Sequence, residues 1–390
     1  MALSIRVGVR FLLAGLATLF LNACQAPPRT LQVGEIAPGR TLVRDGLAPA
    51  GNLVVTIDDT PVRCRAPQTW SRAGDDWREA AQGPALRGAA CPTVTTQLGD
   101  DGRTLVIYNY SAGRAEMLDL ADGRITPIGT ASVGGRVGVR FPPPGPNLSI
   151  SSDGQKLLLG SINHGCRVLA GGGRECGQAE LFERRAGSWE RTAIILPVPE
   201  LVGRVGFGQS VALEPAAQLA MVGGTGGAGL SGALGVYALH GPEPRLVQIL
   251  EPSKPMWGFA TDLSLSGDGR WLAVGGGHSV HVYERSGDGF VLHKVLIPPD
   301  LAAGYFGETV ALSRDGRRLL IGAPRTDCAE GPRCGLVYLF ERDRFWRLAR
   351  TIRPATSLPE ANFGHHLALS ADGRHAAVQG AGLHMFTLGG

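Results

Sequence analysis

The chain has 390 residues, of which 57 are glycine and 26 are proline, so about a fifth of its positions favour turns. This composition argues against a mostly helical protein, while 44% hydrophobic and 18% charged residues exclude a disordered one. The formal net charge of +4 falls to +2 if Arg6 and Arg10 leave with an N-terminal leader, which predicts no general affinity for nucleic acid.

Residues 1–23 have the pattern of an export signal. Arg6 and Arg10 form a positive segment, and residues 11–21 are an apolar run too short to span a bilayer comfortably. The run ends in Leu21-Asn22-Ala23-Cys24, which resembles the lipobox of bacterial lipoproteins. An ordinary secreted protein cleaved after Ala23 is the alternative interpretation.

The lipobox resemblance implies cleavage before Cys24 and acylation of that cysteine. Residues 24–30 then form a short lipidated tether that contains proline. Gln25, rather than Asp, follows the cysteine, and by the same resemblance this favours the outer membrane. The sequence does not distinguish the periplasmic side of that membrane from the surface side.

Internal repeats occupy residues 31–390. The clearest copy runs from Phe306-Gly307 to Asp315-Gly316 and continues through an apolar run to Gly322-Ala323-Pro324. Further copies begin at Phe207-Gly208, Phe259 and Phe363-Gly364, and the last of these reaches Asp372-Gly373. In all four copies the Phe lies nine residues before the turn position, which is Ala216 or an Asp.

These turn positions continue toward the N-terminus and define the number of units. Asp-Gly dipeptides at 101, 153, 268, 315 and 372, the related Gly51-Asn52, and the degenerate turn at Ala216 together give seven markers. The spacing predicts seven units of about 50 residues, a period typical of a propeller or solenoid.

Each unit is predicted to contain four strands. The Asp-Gly dipeptide favours a tight hairpin between the first two strands. The third strand ends in an aromatic residue followed by Glu-Arg, as at Phe340-Glu341-Arg342, and a fourth apolar strand follows. Four-stranded antiparallel units repeated around an axis make an all-β, seven-bladed propeller. The last unit contains only three strands, so residues 31–36 are predicted to supply its fourth strand and close the ring.

The repeats resemble the FG-GAP repeats of integrin α-chain propellers and their bacterial relatives. Phe306-Gly307 and Gly322-Ala323-Pro324 match both halves of that motif. The family's calcium loop, Asp-x-Asp-x-Asp-Gly, is absent, since Arg314-Asp315-Gly316-Arg317 offers one carboxylate among cations. A calcium ion takes about six to eight oxygen ligands. We therefore expect no metal in these turns and assign the Asp a role in the turn itself.

Six cysteines remain beside Cys24, an even number in an exported chain. Cys328 and Cys334 flank a loop in one unit, and Cys166 and Cys176 flank the corresponding loop in another. These equivalent positions predict two local disulfides, and Cys64 with Cys91 then pair by elimination. Metal binding is the alternative, although no Cys-x-x-Cys or His pair with ligand spacing supports it.

Other patterns carry weaker functional signals. Residues 224–229 fit Gly-x-Gly-x-x-Gly, but the repeat predicts a strand after them, whereas a nucleotide site needs a helix. His365 and His366 are expected on opposite sides of a strand. Paired acids are predicted to lie in turns and meet water, at Asp58-Asp59, Asp75-Asp76 and Asp100-Asp101.

An arginine cluster surrounds one outer strand. It could meet anionic lipid or polysaccharide, but a solvated edge protected by charge is the favoured interpretation. Its members are Arg342, Arg344, Arg347, Arg350 and Arg353.

No catalytic residue, cofactor or nucleic-acid partner is predicted. The sequence favours a membrane-anchored, monomeric lipoprotein whose propeller is a non-catalytic scaffold for an envelope protein or glycan. The alternative is a propeller hydrolase or quinoprotein, whose polar residues would converge on the central channel.

Overall fold

The computed structural model describes fourteen stretches of the chain. They are residues 31–36, 40–58, 67–73, 76–82, 94–109, 114–130, 148–162, 167–168, 174–175, 177–201, 206–214, 218–226, 231–299 and 304–389. Within these stretches, no helix combines the length and apolarity that a bilayer crossing needs.

The strands form seven four-stranded antiparallel blades around a central channel, as the repeats predict. Strand β1 is Leu31–Ile36. Blade 1 contains β2 Arg40–Leu47, β3 Leu53–Asp58, β4 Pro67–Ala73 and β5 Asp76–Gln82, and blade 2 contains β6 Val94–Leu98, β7 Thr104–Asn109, β8 Arg114–Asp119 and β9 Ile125–Thr130.

Blade 3 carries an insertion that the sequence does not predict, a pair of two-residue strands between its second and third strands. The four strands of blade 3 are β10 Leu148–Ile150, β11 Lys156–Ser161, β14 Gln178–Arg185 and β15 Ser188–Ile195, and the inserted pair is β12 Arg167–Val168 and β13 Arg174–Glu175. Blade 4 contains β16 Ser210–Glu214, β17 Leu219–Gly224, β18 Ala233–Ala238 and β19 Arg245–Leu250. A 3-10 turn covers Pro199–Leu201.

The C-terminal three blades repeat the plan most regularly. Blade 5 contains β20 Leu263–Leu265, β21 Trp271–Gly276, β22 Ser279–Ser286 and β23 Gly289–Leu296. Blade 6 contains β24 Thr309–Leu312, β25 Arg318–Ala323, β26 Leu336–Arg342 and β27 Trp346–Ile352. Blade 7 contains β28 Leu367–Leu369, β29 His375–Gln379 and β30 Leu383–Thr387. In blade 4, the strand that the repeat predicts after residues 224–229 is observed as β18.

Strand β1 closes the ring by pairing with β30. The pairing is antiparallel and places Leu31 opposite Thr387 and Ile36 opposite Leu383. Blade 7 therefore takes its outer strand from the start of the described chain, and the predicted N-terminal closure is confirmed. Between blades 1 and 7, the Leu42 amide also donates a hydrogen bond of 2.9 Å to the Gln379 side-chain oxygen.

The hydrophobic core of the described residues lies between blades. Seven buried clusters occur, one at each of the seven blade interfaces. Between blades 5 and 6, for example, Trp271 and Val282 pack with Phe306 and Tyr338. The neighbouring blades cover both faces of β21, the second strand of its blade, which is buried along its whole length. The outer strand β23 is exposed in its middle section.

Candidate functional site

The Asp-Gly turns form one face of the ring, which we call the Asp-Gly face. In the turn between β24 and β25, Asp315 Oδ1 accepts hydrogen bonds from Ser313 Oγ (2.6 Å) and the Arg317 amide (3.0 Å). Gly316 follows with a φ of 64°, the left-handed conformation that glycine adopts without strain. The carboxylate thus acts within the turn, which is the role predicted for it.

The same serine and aspartate contact recurs in three other turns. Its members are Ser151 with Asp153, Ser266 with Asp268, and Ser370 with Asp372. Burial alone would raise the pKa of Asp372, but donation from Ser370 and the Arg374 amide lowers it below its ordinary value.

Backbone hydrogen bonds link successive turns around part of the channel mouth on this face. The Gly267 amide donates to the Arg314 carbonyl (2.8 Å), and the Arg314 amide donates to the Ala371 carbonyl (3.1 Å). The Ala371 amide in turn donates to the Pro49 carbonyl (3.0 Å). Four blades, 5, 6, 7 and 1, are therefore connected in sequence at this end.

The channel contains a cavity of about 160 Å³ near the Asp-Gly face, lined by residues of the inner strands and turns. Its polar side chains join neighbouring blades. Gln97 Oε1 accepts from the Ile150 amide (2.9 Å), and Ser149 Oγ accepts from the Leu213 amide (3.0 Å). Ser264 Oγ likewise accepts from the Leu312 amide (2.9 Å). Buried polar groups in this part of the channel thus satisfy backbone donors.

Two carboxylates, Asp100 and Glu214, belong to the described cavity lining, which includes no histidine. Asp100 Oδ2 lies 2.7 Å from Arg314 Nη2 of blade 6. Asp100 and Asp101 lie in a turn, as predicted. The expectation that they meet water is wrong, because Asp100 pairs with a cation across the channel and Asp101 accepts hydrogen bonds from Thr104. The predicted placement in turns is wrong for Asp58 and Asp76, which lie in β3 and β5, since the apolar strands extend farther than the turn signals indicate. Asp59 and Asp75 lie outside the described residues.

The repeated Phe-Gly segments form the opposite face, the Phe-Gly face. Phe207, Phe259, Phe306 and Phe363 are buried, and each packs with residues of the preceding blade. Burial of one such side chain contributes roughly 1.5–3 kcal/mol. The Phe of the repeat is therefore a packing residue of the blade interface.

The glycine after the Phe allows close approach of two blades. Gly364 has a φ of 96°, and a Cβ there would lie 2.8 Å from Val337 Cγ2 and 2.9 Å from the Leu336 carbonyl oxygen. Thr309 Oγ1 donates a hydrogen bond of 2.6 Å to the Gly364 carbonyl from the preceding blade. Ala260 occupies the matching position after Phe259 and keeps a positive φ of 65°.

Four side chains on the Phe-Gly face form what we call the aromatic-ionic cluster, consisting of Trp257, Tyr305, Glu308 and Arg325. Trp257 is 63% exposed and makes a T-shaped contact with Tyr305, with 5.8 Å between ring centroids. The Arg325 guanidinium lies 3.9 Å from the Tyr305 ring centroid and its Nε lies 3.2 Å from Glu308 Oε2. The His278 ring also lies beside Tyr305, with 6.1 Å between the two ring centroids.

His365 and His366 lie beside this cluster, and their predicted separation is wrong. Their rings are 4.6 Å apart in a T-shaped contact, because both residues precede strand β28 and belong to the Phe-Gly turn. His365 is exposed to solvent, yet burial lowers its pKa below the ordinary value, with Glu308 opposing that change and Arg325 adding to it.

A disulfide joins Cys328 and Cys334, as predicted, in the loop that carries Arg325. Their Cα atoms are 5.8 Å apart. Glu330 lies near the two sulfur atoms, but sulfurs joined to each other are not available as thiolate ligands. The other predicted partners, Cys64, Cys91, Cys166 and Cys176, lie outside the described residues, as does the predicted acylation site Cys24.

The arginine cluster does not form one continuous surface. Arg342 packs over Trp271, 4.1 Å from its ring centroid, and burial lowers its pKa. Arg347 pairs with Asp343 at 2.9 Å. Arg350 is partly buried, whereas Arg344 and Arg353 are exposed. The cluster therefore includes a packing residue between blades 5 and 6.

The aromatic-ionic cluster was not predicted from the sequence. Its members come from the loops of two blades, and only their position close to the repeated Phe residues connects them. Trp257 stands two residues before Phe259, and Tyr305 stands one residue before Phe306. Comparison of the repeat copies for aromatic residues at these positions could have identified both.

Comparison with known proteins shows the fold. No family model matches this sequence, and no curated protein matches it. Among solved structures, hydrazine synthase of Kuenenia stuttgartiensis is similar, with a TM-score of 0.61, 12% identity, and coverage of 92% of this chain and 97% of that chain. The Cps50 (Swd1) β-propeller domain of Myceliophteria thermophila is similar with a TM-score of 0.62, 13% identity, and coverage of 93% and 100%.

Proposed function

We propose that this protein is an outer-membrane lipoprotein with FG-GAP-type repeats, whose propeller binds an envelope protein or glycan without catalysis. The observation that carries the proposal is the exposed Trp257 beside the Arg325–Glu308 pair on the Phe-Gly face. Exposed aromatic and arginine side chains are typical of binding surfaces. The described polar groups of the channel, by contrast, are occupied with blade-to-blade hydrogen bonds, as at Gln97, Ser149 and Ser264.

The membrane part of the proposal depends on Cys24 and the sequence around it. Several acyl chains anchor a protein durably, because each buried CH₂ group adds about 0.8 kcal/mol. The net charge of +2 that remains after loss of Arg6 and Arg10 gives little electrostatic attraction to a membrane by itself. The anchor would hold the propeller in the envelope, where its Phe-Gly face can meet a partner.

Replacing the acylated cysteine tests the anchor. We expect Cys24→Ala to move the protein from the membrane pellet to the soluble fraction, measured by fractionation and immunoblotting. Ala26→Ser, in the predicted tether, is the matched control and should leave the protein in the pellet. If the Cys24→Ala protein still pellets after a salt wash, the lipoprotein assignment is wrong.

Photo-crosslinking in living cells tests the binding face. A photo-reactive amino acid at the exposed Lys254 position lies three residues before Trp257, whereas one at the exposed Asp288 lies in the β22–β23 hairpin near the Asp-Gly face. We expect adducts from position 254 and none from position 288. Adducts from neither position, or equal adducts from both, would contradict a binding role for the Phe-Gly face.

A further inference from the structure

We propose that the aromatic-ionic cluster binds an uncharged pyranose ring of an oligosaccharide. The inference rests on the proposed binding function and specifies its ligand class. It depends on the exposed Trp257 ring, on the partly exposed Arg325 guanidinium that Glu308 holds in place, and on the balance of charge between Glu308 and Arg325.

Trp257 provides the flat apolar surface. Its contact with Tyr305 fixes the ring, with an angle of 89° between the two planes, while 63% of the residue stays exposed. One side of a pyranose presents mainly C–H bonds and can stack on an indole face, with the hydroxyl groups left at its edge. Tyr305, His278 and Arg325 lie next to that platform and carry polar atoms at its border.

Glu308 fixes the position of the Arg325 guanidinium. Its side chain is 10% exposed, and Arg325 Nε lies 3.2 Å from its Oε2. That oxygen is buried and out of reach of a ligand, so its role is to hold the guanidinium over the Tyr305 ring. The guanidinium is partly exposed and keeps N–H groups that can donate to the hydroxyl oxygens of a ligand.

The charges of the cluster argue for an uncharged ligand. A cation that approached Tyr305 would meet Arg325, whose guanidinium already covers the ring at 3.9 Å. An anion attracted to Arg325 would meet the Glu308 carboxylate, which is paired with it. A neutral ligand with many hydroxyl groups avoids both repulsions and can accept hydrogen bonds from Arg325.

The loop that carries Arg325 is held in place before any ligand binds. Thr326 is buried, and its Oγ1 accepts from the Gly304 amide at 3.0 Å while donating to the Ala323 carbonyl at 2.9 Å. The Gly335 amide donates to the Thr326 carbonyl at 2.9 Å, and the Cys328–Cys334 disulfide closes the rest of the loop. A site fixed in this way loses less conformational entropy on binding.

Calorimetry with defined sugars tests the proposal. The full-length protein, purified in a detergent without a sugar headgroup, is titrated with cellotriose, chitotriose and maltotriose. We expect millimolar or tighter binding of at least one of them. Trp257→Ala should weaken that binding at least about tenfold, the loss of roughly 1.4 kcal/mol expected when a stacking contact is removed.

Two further variants test the contribution of Glu308 to binding and provide a control on the opposite face. Glu308→Gln should weaken binding severalfold by removing the charge that holds the Arg325 guanidinium in place, with an unchanged melting temperature as evidence of correct folding. Phe345→Ala, at a residue that is 78% exposed in the hairpin near the Asp-Gly face, is the matched control and should bind like the unmodified protein. Binding of none of the three sugars, or binding that survives Trp257→Ala, would overturn the sugar site.

The two proposals can fail separately. Crosslinks from position 254 without sugar binding would indicate a protein partner, which overturns the sugar site and leaves the binding scaffold. An absence of crosslinks from position 254, together with an absence of sugar binding, would reject both.

Discussion

The carboxylate of Asp100 in blade 2 and the guanidinium of Arg314 in blade 6 form an ion pair of 2.7 Å across the channel mouth. They stand 214 positions apart in the sequence. Arg314 is itself tied through its backbone to Gly267 and Ala371 of the neighbouring blades. The arginine side chain therefore covers the channel on the Asp-Gly face from a fixed base.

Removal of the Arg314 side chain is expected to open the channel mouth on the Asp-Gly face with little loss of stability. An ion pair at a partly exposed surface contributes at most about 1 kcal/mol. A thiol introduced by Leu265→Cys, in the cavity lining, should therefore react severalfold faster with a maleimide when Arg314→Ala is added. Mass spectrometry of the labelled peptide measures the rate.

Arg317→Ala is the matched control for the channel mouth, because Arg317 is an exposed residue of the same turn. It should leave the labelling rate unchanged. Equal rates with and without the Arg314 side chain would show that the ion pair does not limit access to the cavity.

Acidification is expected to weaken the junction between blades 7 and 1. His375 of blade 7 lies 3.1 Å from Arg72 of blade 1, and burial together with that cation lowers its pKa. In the unfolded chain the pKa of histidine is about 6.5, so the unfolded state binds more protons as the pH falls below that value. Stability is thus complete above about pH 6.5 and is lost as the pH falls through the folded-state pKa.

Urea unfolding at pH 8 and pH 5 measures this effect. The unmodified protein should lose stability at pH 5, and His375→Gln should lose less, since that side chain no longer titrates. His281 and His365, whose pKa values are also lowered, continue to contribute in the variant. An identical loss in both proteins would exclude His375 as a source of the pH dependence.

Removal of strand β1 is expected to destabilise the whole ring. A chain that begins at residue 37 lacks the pairing with β30 and leaves that strand as an unpaired edge. With several hydrogen bonds lost at about 0.5–1.5 kcal/mol each, the loss should be on the order of 3–5 kcal/mol. Thermal unfolding of chains that begin at residues 25, 31 and 37 tests this, and only the shortest should melt early.

Replacing the glycine of a Phe-Gly segment with alanine should lower the free energy of unfolding by more than the strain of a positive φ alone. Gly364→Ala adds a clash with Val337 and Leu336 to the strain of a positive φ, whereas Gly123 has a similar φ of 70° with open space around it. We expect Gly364→Ala to lower the free energy of unfolding by about 1–3 kcal/mol more than Gly123→Ala does. Similar losses in urea unfolding would mean that the blade interface adapts to the added methyl group.

The elements that were predicted from the sequence depend on local signals. Asp315-Gly316 defines a hairpin by its own backbone preference, and Phe306 repeats at a fixed distance from it. Counting strands from these markers was sufficient to predict closure of the ring by β1, because an unpaired three-stranded blade would leave an exposed edge.

Two of the features that were missed depend on contacts between distant loops, and a third depends on a turn that was assigned to a strand. Arg314 and Asp100 meet only because the ring brings blades 2 and 6 to opposite sides of a narrow mouth. Trp257 and Arg325 approach the same tyrosine from two blades. His365 and His366 were assigned to a strand by periodicity, whereas the Phe-Gly turn brings their rings together. The contacts between blades leave no short-range pattern in the chain, whereas the two histidines are sequence neighbours that lie in a turn and not in the expected strand.

Because Leu31 pairs with Thr387, the ring can close only after nearly the whole chain has been synthesised. During synthesis the first described strand is made hundreds of residues before its partner, so it must remain unpaired until nearly the whole chain exists. Contacts between such distant segments are slow to form, because a long loop must close before they contribute. Until then both chain ends present open strand edges, and a newly made chain is at its most vulnerable to aggregation or to pairing with a second copy.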